Sequence, residues 1–284
     1  MQSYIGTREF SDILLKLEEK GGMALGPEKA YLLDEKLGKL VAEMPPHSFP
    51  ELHGKICFGQ DSALLDRLVE SMTINETFWF RDKSPWTMLE EVLLPRWIEE
   101  MENGKRHRVR IWSAACSFGQ EPYSIAMCVA SHLKRSGADN RRNTFEIIAT
   151  DISRPVIRMA EKGPYDGIAI SRGLEDTYRD LYFEKAGNAW SLRDEIRQMV
   201  RFHPFNLIAD PYGFEPFDVI FCRNVMIYFS DARKRQVCRS LAETLTDGGI
   251  LFIGSAELME DCENVFSRNL HKGGVFFRKQ TVSW

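Results

Sequence analysis

The sequence predicts an α/β fold in which a doubly wound, mostly parallel sheet follows an all-helical N-terminal domain and is interrupted by a small β insertion. Two observations support this prediction. The first ~80 residues carry only helical periodicity. After Gly104, short apolar runs typical of buried strands alternate with helical patterns, an order that is typical of parallel sheets.

Four helices are predicted in the N-terminal part. The first has apolar residues at helical spacing (Phe10, Ile13, Leu14, Leu17) after a Thr7 N-cap. The second begins at Pro27 and stops at Pro45-Pro46. The third begins at an Asp61 cap, and the fourth begins at Ser84-Pro85 and should bend or end at Pro95. The domain is predicted to cover residues 1–82, including a linker.

Residues 83–284 are predicted to form the second domain. Its expected strands are 109–114, 145–150, 219–222 and 250–253, with a final edge strand at 275–278. Helices are expected after Glu121-Pro122, at about 155–161 and at 230–245. Residues 165–203 break the alternation, and we interpret them as an inserted subdomain with a hairpin around Gly187-Asn188.

Composition excludes several classes of protein. With 284 residues, 44% of them hydrophobic, the chain can bury a substantial core, and its net charge of -4 indicates no general attraction to nucleic acid or anionic membranes. No apolar run is long enough to span a bilayer, and no signal peptide is expected. The six cysteines show no metal-ligand spacing, so reduced thiols in a cytoplasmic protein are expected.

The most informative segment is Phe217–Phe229, in which a short apolar run ends in Arg223 and Asn224. In an open α/β sheet, ligands bind beyond the carboxyl ends of the strands. These two polar side chains are therefore predicted to line a binding site. A capped strand end with a solvated arginine is the alternative.

The first strand-to-helix junction, 111–122, is rich in small residues, including Ala115 and Gly119, which allow a ligand to approach the backbone. It lacks the GxGxxG pattern of dinucleotide sites, so a nucleoside ligand without phosphates is favoured. Glu121 either caps the helix or faces a cationic group. Asp151 ends the second strand, where an acid accepts ribose hydroxyl protons or caps the next helix. Together these features indicate S-adenosylmethionine.

Thr73-Ile-Asn-Glu-Thr-Phe-Trp-Phe-Arg81 lies between the two predicted domains. Asn75 and Thr77 supply short polar groups, three aromatic residues exclude water, and Arg81 adds a fixed positive charge. The alternative is a helix-capping box in which Thr73 and Glu76 satisfy backbone N–H groups while an aromatic side chain packs into the core.

Three motifs taken together carry a resemblance to a known family. Thr-x-Asn-Glu-Thr-x-x-Phe-Arg, Ala-Cys-Ser-x-Gly-x-Glu-Pro-Tyr-Ser-Ile-Ala-Met and Cys-Arg-Asn-Val-Met-Ile-Tyr-Phe follow one another in the order and spacing of the bacterial chemotaxis protein methyltransferases, the CheR family. The resemblance covers nearly the whole chain and is strongest from 73 to 253. It implies a Rossmann-like methyltransferase sheet and transfer of methyl from S-adenosylmethionine to chemoreceptor glutamates, leaving S-adenosylhomocysteine.

The resemblance also implies roles for individual residues. Asn75, Thr77 and Arg81 would line the methionine end of the cofactor, with Arg81 and Tyr228 near the reacting centre. The remaining cofactor-binding residues would lie at the amino group, the ribose, the adenine and the edge of the site: Ala115, Glu121, Asp151, Asn206, Leu207, Arg223 and Asn224.

The sequence departs from the family at Phe118, Gln120 and Ser255-Ala256. Its second helix has mixed charge, where well-studied relatives have a basic one, and the turn at 185–190 looks shorter. From the shorter turn we expect no tight binding of a C-terminal receptor pentapeptide. The resemblance implies the cytoplasmic domains of chemoreceptors as partners, and a monomer is the default expectation. The rival hypotheses are a methyltransferase of this fold acting on another protein or a small carboxylic acid, and a cofactor-binding module without turnover.

Overall fold

A computed structural model describes residues 3–43, 48–59, 62–259 and 262–280. The chain divides into two compact units. The first consists of Met1–Ile74 and Met226–Gln236, and the second of Asn75–Val225 and Val237–Trp284. The second unit contains both β-sheets.

The first unit is helical. Its helices before residue 74 are α1 (Arg8–Gly21), α2 (Ala30–Glu43), α3 (Phe49–Cys57) and α4 (Ser62–Met72), with a 3₁₀ turn at Pro27–Lys29. The predicted N-cap of α1 is confirmed, because Thr7 Oγ1 accepts a hydrogen bond of 3.2 Å from the backbone N–H of Phe10. Gly22 ends α1 in the left-handed conformation.

Helix α3 was not predicted. Ser48 is its N-cap residue, a proline occupies its first turn, and Phe49, Leu52 and Ile56 are buried at helical spacing. These signals were available in the sequence. The predicted stop at Pro45-Pro46 and the predicted Asp61 cap lie outside the described residues.

The second unit is built on a seven-stranded sheet. Its strands are β1 (Val109–Ala114), β2 (Phe145–Asp151), β6 (Val200–Pro204), β7 (Phe217–Cys222), β8 (Leu245–Phe252), β9 (Phe266–His271) and β10 (Gly274–Lys279). Their order is β6-β2-β1-β7-β8-β10-β9. The first five strands are parallel, and β10 is antiparallel to both of its neighbours. The order reverses between β1 and β7, as in doubly wound α/β folds, so the predicted fold class is confirmed.

The helices of this unit begin with α5 (Lys83–Met88), a π-helical turn (Leu89–Leu93) and α6 (Leu94–Glu102). The π-turn lies directly before Pro95, whose missing N–H and bulky ring disrupt α-helical bonding, as predicted. The helices that follow are α7 (Gln120–Ser136), α8 (Arg154–Lys162), α9 (Gly167–Ser171), α10 (Asp176–Tyr182) and α11 (Asp194–Arg197). Helix α12 (Asp231–Glu243) begins in the stretch assigned to the first unit.

Two strands of the large sheet differ from the prediction. Val275–Arg278 was expected at the edge, but β10 lies between β8 and β9, and β9 was not predicted. Residues 200–203 were assigned to the insertion, whereas β6 pairs with β2 in the large sheet. In β6 only Val200 and Phe202 are buried, and in β9 only Phe266 is buried, so neither strand has the continuous apolar run of a central strand.

The insertion contains a small antiparallel sheet in the order β3-β5-β4. Its strands are β3 (Pro164–Asp166), β4 (Phe183–Ala186) and β5 (Ala189–Leu192). A turn at Gly187 and Asn188 joins β4 to β5, where the hairpin was predicted.

The expectation of reduced thiols throughout is wrong for one pair of cysteines. Cys238 on α12 and Cys262 after β8 form a disulfide, with their Cα atoms 6.3 Å apart. The two residues lie 24 positions apart, so only the folded chain brings them together. The other four cysteines are free.

Within the described ranges, no helix is both long and apolar enough to cross a membrane.

Candidate active site

The junction between β1 and α7 forms a tight backbone turn at the reversal point of the sheet. Ala115, Ser117 and Gly119 have positive φ angles of 57°, 51° and 90°. The N–H of Cys116 donates to Thr150 O at 2.8 Å, which holds the turn against the end of β2. The positive φ angles and small side chains of this turn are those that allow a ligand to approach a backbone closely, and its use by a ligand stays a prediction.

Asp151 ends β2 beside this turn. Its two carboxylate oxygens accept hydrogen bonds of 2.9 Å from the N–H groups of Ser117 and Ser153. Burial raises the pKa of Asp151 above that of an ordinary aspartate, and the backbone donors act in the opposite direction. Ser153, not Asp151, is the N-cap residue of α8. A carboxylate has about four acceptor positions, so Asp151 retains capacity for hydroxyl donors.

Arg223 lies at the centre of a buried ion cluster after β7. Its guanidinium donates to Glu121 Oε2 and to Asp82 Oδ2, each at 2.8 Å. It also donates to the carbonyl of Arg81 at 2.5 Å. The Arg223 side chain is 2% exposed, and that of Glu121 is 13% exposed. The second carboxylate oxygen of Glu121 accepts from Ser113 Oγ at 2.7 Å, so Glu121 faces a cationic group, one of the two predicted alternatives.

Asn224 is positioned by a second acidic residue. Glu257 Oε2 accepts hydrogen bonds of 2.7 Å from the N–H groups of Asn224 and Gly254. A Cβ at Gly254 would lie 2.5 Å from Asn224 Nδ2, so a larger residue there would have to displace the Asn224 side chain. Asp82 and Glu257 were not predicted as site residues. No local sequence pattern marks them, because Asp82 bonds Arg223 across 141 residues of sequence and Glu257 bonds Asn224 across 33.

The segment that carries Arg81 is irregular and starts no helix, so the capping box of the alternative is wrong. Its other part, an aromatic side chain packed into the core, is confirmed at Trp79, which is fully buried. Thr73 follows α4 instead of preceding a helix. The carbonyl of Asn75 accepts from Ser117 Oγ at 3.0 Å, which places it beside the β1–α7 turn. Thr77 is half-buried.

Arg81 is half-buried and donates to the carbonyl of Glu76 at 3.2 Å. Its guanidinium lies 5.3 Å from the centre of the Phe78 ring. Within the described part of the chain, no carboxylate lies at ion-pair distance from Arg81.

Asn206 and Leu207 follow β6. The N–H of Phe205 donates to Asp151 O at 2.9 Å, and this bond holds their loop beside the end of β2. Leu207 is buried, and its carbonyl accepts from Tyr212 Oη at 2.6 Å. Asn206 Oδ1 accepts from the N–H of Ile208.

Tyr228 belongs to the first unit. It lies in the 3₁₀ turn Met226–Tyr228, and its carbonyl accepts from the N–H of Ala24 at 2.8 Å. The other predicted site residues belong to the second unit.

Two residues in the β1–α7 turn, Phe118 and Gln120, depart from the family pattern, and the structure shows the surroundings of both. The carbonyl of Phe118 accepts from Tyr165 Oη at 2.8 Å. Gln120 is buried, and its Oε1 has no partner among the described residues. We have no physical account of that unpaired atom.

Comparison with known proteins defines the family. Residues 75–272 match the CheR methyltransferase, SAM binding domain. The chain belongs to the CheR methyltransferase family. Chemotaxis protein methyltransferase Cher2 of Pseudomonas putida is 37% identical over 274 residues, covering 96% of this chain and 98% of that protein.

Two other members of the CheR family have similar identity. The chemotaxis protein methyltransferase of Vibrio anguillarum is 38% identical over 275 residues, which is 96% of this chain and 98% of that protein. Chemotaxis protein methyltransferase 1 of Pseudomonas aeruginosa is 36% identical over 263 residues, covering 92% of this chain and 94% of its own length. The chain is therefore a chemotaxis protein methyltransferase that uses S-adenosylmethionine.

The side chains at the sheet reversal suit this cofactor. S-adenosylmethionine carries an ammonium group and a ribose diol, for which carboxylates are matching acceptors. Asp151 has spare acceptor capacity beside the β1–α7 turn, and Glu121 lies in the first turn of the next helix. The chemistry and placement of these groups fit the cofactor.

Proposed function

We propose that the chain methylates glutamate side-chain carboxylates of chemoreceptors and forms γ-methyl esters. The observation that carries this proposal is the contrast between two arginines. Arg223 is buried against Glu121 and Asp82, whereas Arg81 has no carboxylate partner among the described residues. A half-buried guanidinium without a carboxylate is suited to bind an incoming one.

The proposed roles of the cofactor-binding residues follow their positions. Glu121 accepts from the amino group of the cofactor and Asp151 from the ribose hydroxyls, while Asn206 and Leu207 border the adenine. Asn75, Thr77 and Arg81 line the methionine end, and Ala115 binds the cofactor from the β1–α7 turn. Arg223 and Asn224 close the site, and Arg223 also holds Glu121 in place through its 2.8 Å ion pair.

The reaction makes limited demands on the protein. A glutamate carboxylate is ionised at pH 7, so no general base is required. The cofactor supplies a methyl group on a sulfonium leaving group. The chain aligns the carboxylate with that methyl group, and such alignment provides about 7–11 kcal/mol in favourable cases. Arg81 orients the carboxylate without a permanent ion pair, and Tyr228 helps to align the reactants.

The proposed partners are the cytoplasmic domains of chemoreceptors, and the chain is proposed to act in the cytoplasm as a monomer. We propose that it does not bind a receptor C-terminal pentapeptide tightly. The two-residue turn of the β4–β5 hairpin, at Gly187 and Asn188, supports this because it provides little backbone for a peptide to contact. Titration with a labelled tail peptide should give no micromolar binding, and micromolar affinity would contradict the proposal.

The test of the reaction itself is the alkali sensitivity of the product. Purified protein is incubated with methyl-labelled S-adenosylmethionine and receptor-containing membranes, and the product is then treated with mild alkali. Release of the label as methanol is expected, because carboxyl methyl esters hydrolyse under these conditions. Alkali-stable label would place the methyl group on nitrogen, sulfur or carbon and would overturn the glutamate assignment. The absence of label despite cofactor binding would favour a binding module without turnover.

A further inference from the structure

The segment that carries Arg81 is attached to the insertion through Trp79. The Trp79 side chain is fully buried. Its indole N–H donates to Ala169 O at 3.0 Å, and its backbone N–H donates to Arg172 O at 3.1 Å. The two acceptors belong to α9 and the residue after it, so one short stretch of the insertion holds both the side chain and the backbone of Trp79.

The small sheet supplies further packing around the same indole. The ring of Tyr165, on β3, lies 4.8 Å from the Trp79 ring, and the ring of Phe183, on β4, lies 5.3 Å away, both edge-on. Edge-to-face aromatic pairs at these distances are favourable and specific in geometry. Trp79 is therefore fixed from several directions.

Gly173 allows the closest approach between the insertion and this segment. Its φ angle is +85°, and a Cβ built there would lie 2.2 Å from Trp79 O and 3.2 Å from Phe78 Cδ2. The nearest obstacle is a backbone carbonyl and not a flexible side chain. Any larger residue at 173 must therefore displace the Phe78–Trp79 backbone or move away from it.

Arg172 adds a contact from the same loop. It forms an ion pair with Glu76, and its guanidinium lies 5.5 Å from the centre of the Phe78 ring. The guanidinium of Arg81 approaches the same ring at 5.3 Å. The hydrogen bond from Arg172 lowers the pKa of Glu76, as expected for a carboxylate that accepts from a guanidinium.

We propose that Arg172 and Gly173 are positioning residues for the Glu76–Arg81 segment, and that the insertion thereby sets the position of the Arg81 guanidinium. The proposal rests on the proposed function, because it assigns Arg81 to the substrate carboxylate. Arg81 lies two residues beyond Trp79, so a displaced Trp79 carbonyl displaces Arg81 as well. A shift of about 1 Å at a reacting group costs on the order of 100-fold in rate.

The primary test is Gly173→Ala, with Gly187→Ala as the matched control. Both glycines have positive φ angles and lie in the insertion, but a Cβ at Gly187 would meet nothing within 4 Å. The turnover of receptor methylation is measured with saturating cofactor, and amide hydrogen exchange of residues 76–82 is followed without it. Gly173→Ala should lower kcat about 100-fold and speed exchange of the Trp79 amide. Gly187→Ala should leave both within about twofold, because it carries only the local backbone cost.

The two readouts separate the possible failures. Normal kcat in Gly173→Ala, or equal losses in both variants, would overturn the proposal. If wild-type protein forms no alkali-labile ester, the proposed function fails. In that case the amide hydrogen exchange of residues 76–82, compared between Gly173→Ala and Gly187→Ala, still decides whether Gly173 fixes the position of the Glu76–Arg81 segment.

A charge exchange keeps the test valid if Gly173→Ala does not fold. Glu76 and Arg172 have side chains that are 57% and 44% exposed, so substitutions there should not prevent folding. Glu76→Arg and Arg172→Glu should each lower kcat about 3- to 5-fold, and the double variant should recover most of the loss. If kcat of the double variant were lowered by the product of the two single effects, the positioning role of Arg172 would be overturned.

Discussion

Arg223 donates a hydrogen bond to the main-chain carbonyl of Arg81, yet the surroundings of the two guanidinium groups differ. Arg223 is 2% exposed and ion-paired to Glu121 and Asp82, and it donates to the carbonyl of Arg81. Arg81 is half-buried and contacts a backbone carbonyl and an aromatic ring. One arginine has its charge neutralised inside the protein, and the other retains donors for a ligand.

The difference follows from the cost of burying charge. A buried guanidinium without carboxylates would be strongly destabilising, so Arg223 requires Glu121 and Asp82. A half-exposed guanidinium keeps part of its hydration and can remain without a partner until substrate arrives. We infer that Arg223 mainly organises the site, while Arg81 acts on the substrate.

Arg223→Met should have the largest effect of the substitutions that test this comparison. It leaves Glu121 and Asp82 without their cation, and loss of one member of a buried ion cluster costs about 3–5 kcal/mol. Denaturant unfolding should show that decrease. The control is Arg201→Met, because the Arg201 side chain is 71% exposed and, among the described residues, forms an ion pair with Glu146 alone, so the change should be within about 0.5 kcal/mol. A loss below about 1 kcal/mol for Arg223→Met would contradict the organising role.

Asp151→Asn tests whether the buried Asp151 carboxylate binds the cofactor in addition to its hydrogen bonds within the protein. The substitution removes acceptor capacity and leaves one backbone N–H poorly paired, so cofactor affinity should fall about 10- to 100-fold. Calorimetric titration measures this effect, with Asp247→Asn, at an exposed position, as the control. Unchanged affinity would remove Asp151 from the site.

The pH dependence of cofactor binding gives a second measure of Asp151. Burial raises the pKa of its carboxyl, so the folded protein binds that proton more readily than the unfolded chain does. The penalty for a buried charge is therefore present above the folded pKa and relieved as the pH falls. Protonation also removes acceptor capacity, so affinity should begin to fall at a higher pH than an ordinary aspartate would cause. Affinity independent of pH down to the ordinary aspartate range would contradict this.

Tyr228→Phe should have the smallest effect. Loss of one aligning hydroxyl should lower kcat about 3- to 10-fold with little change in the free energy of unfolding. Tyr31→Phe in the same unit is the control, because Tyr31 is 60% exposed. Equal kcat values for the two variants would leave Arg81 as the main catalytic group.

Sequence reasoning located the strands with continuous apolar runs. β1 and β7 are buried along nearly their whole length, and their limits agree with the prediction within two residues. β6 and β9 were missed because neither has a continuous apolar run: β6 has only two buried residues before it ends in His203 and Pro204, and in β9 only Phe266 is buried.

The site was predicted where sequence motifs mark strand ends, as at Asp151 and Arg223. The acids that position these motifs were not predicted. Asp82 reaches Arg223 across 141 residues, and Glu257 reaches Asn224 across 33, and no local pattern encodes such pairs. The small sheet was expected as an insertion, but its packing against Trp79 became visible only in the folded structure.

The most direct test of the contrast between the two arginines is receptor methylation by Arg81→Ala with cofactor saturating. We expect kcat to fall about 100-fold, as for loss of one charged donor at a reaction centre, while the free energy of unfolding changes by less than about 0.5 kcal/mol. Near-normal kcat in this variant would contradict the assignment of Arg81 to the substrate carboxylate.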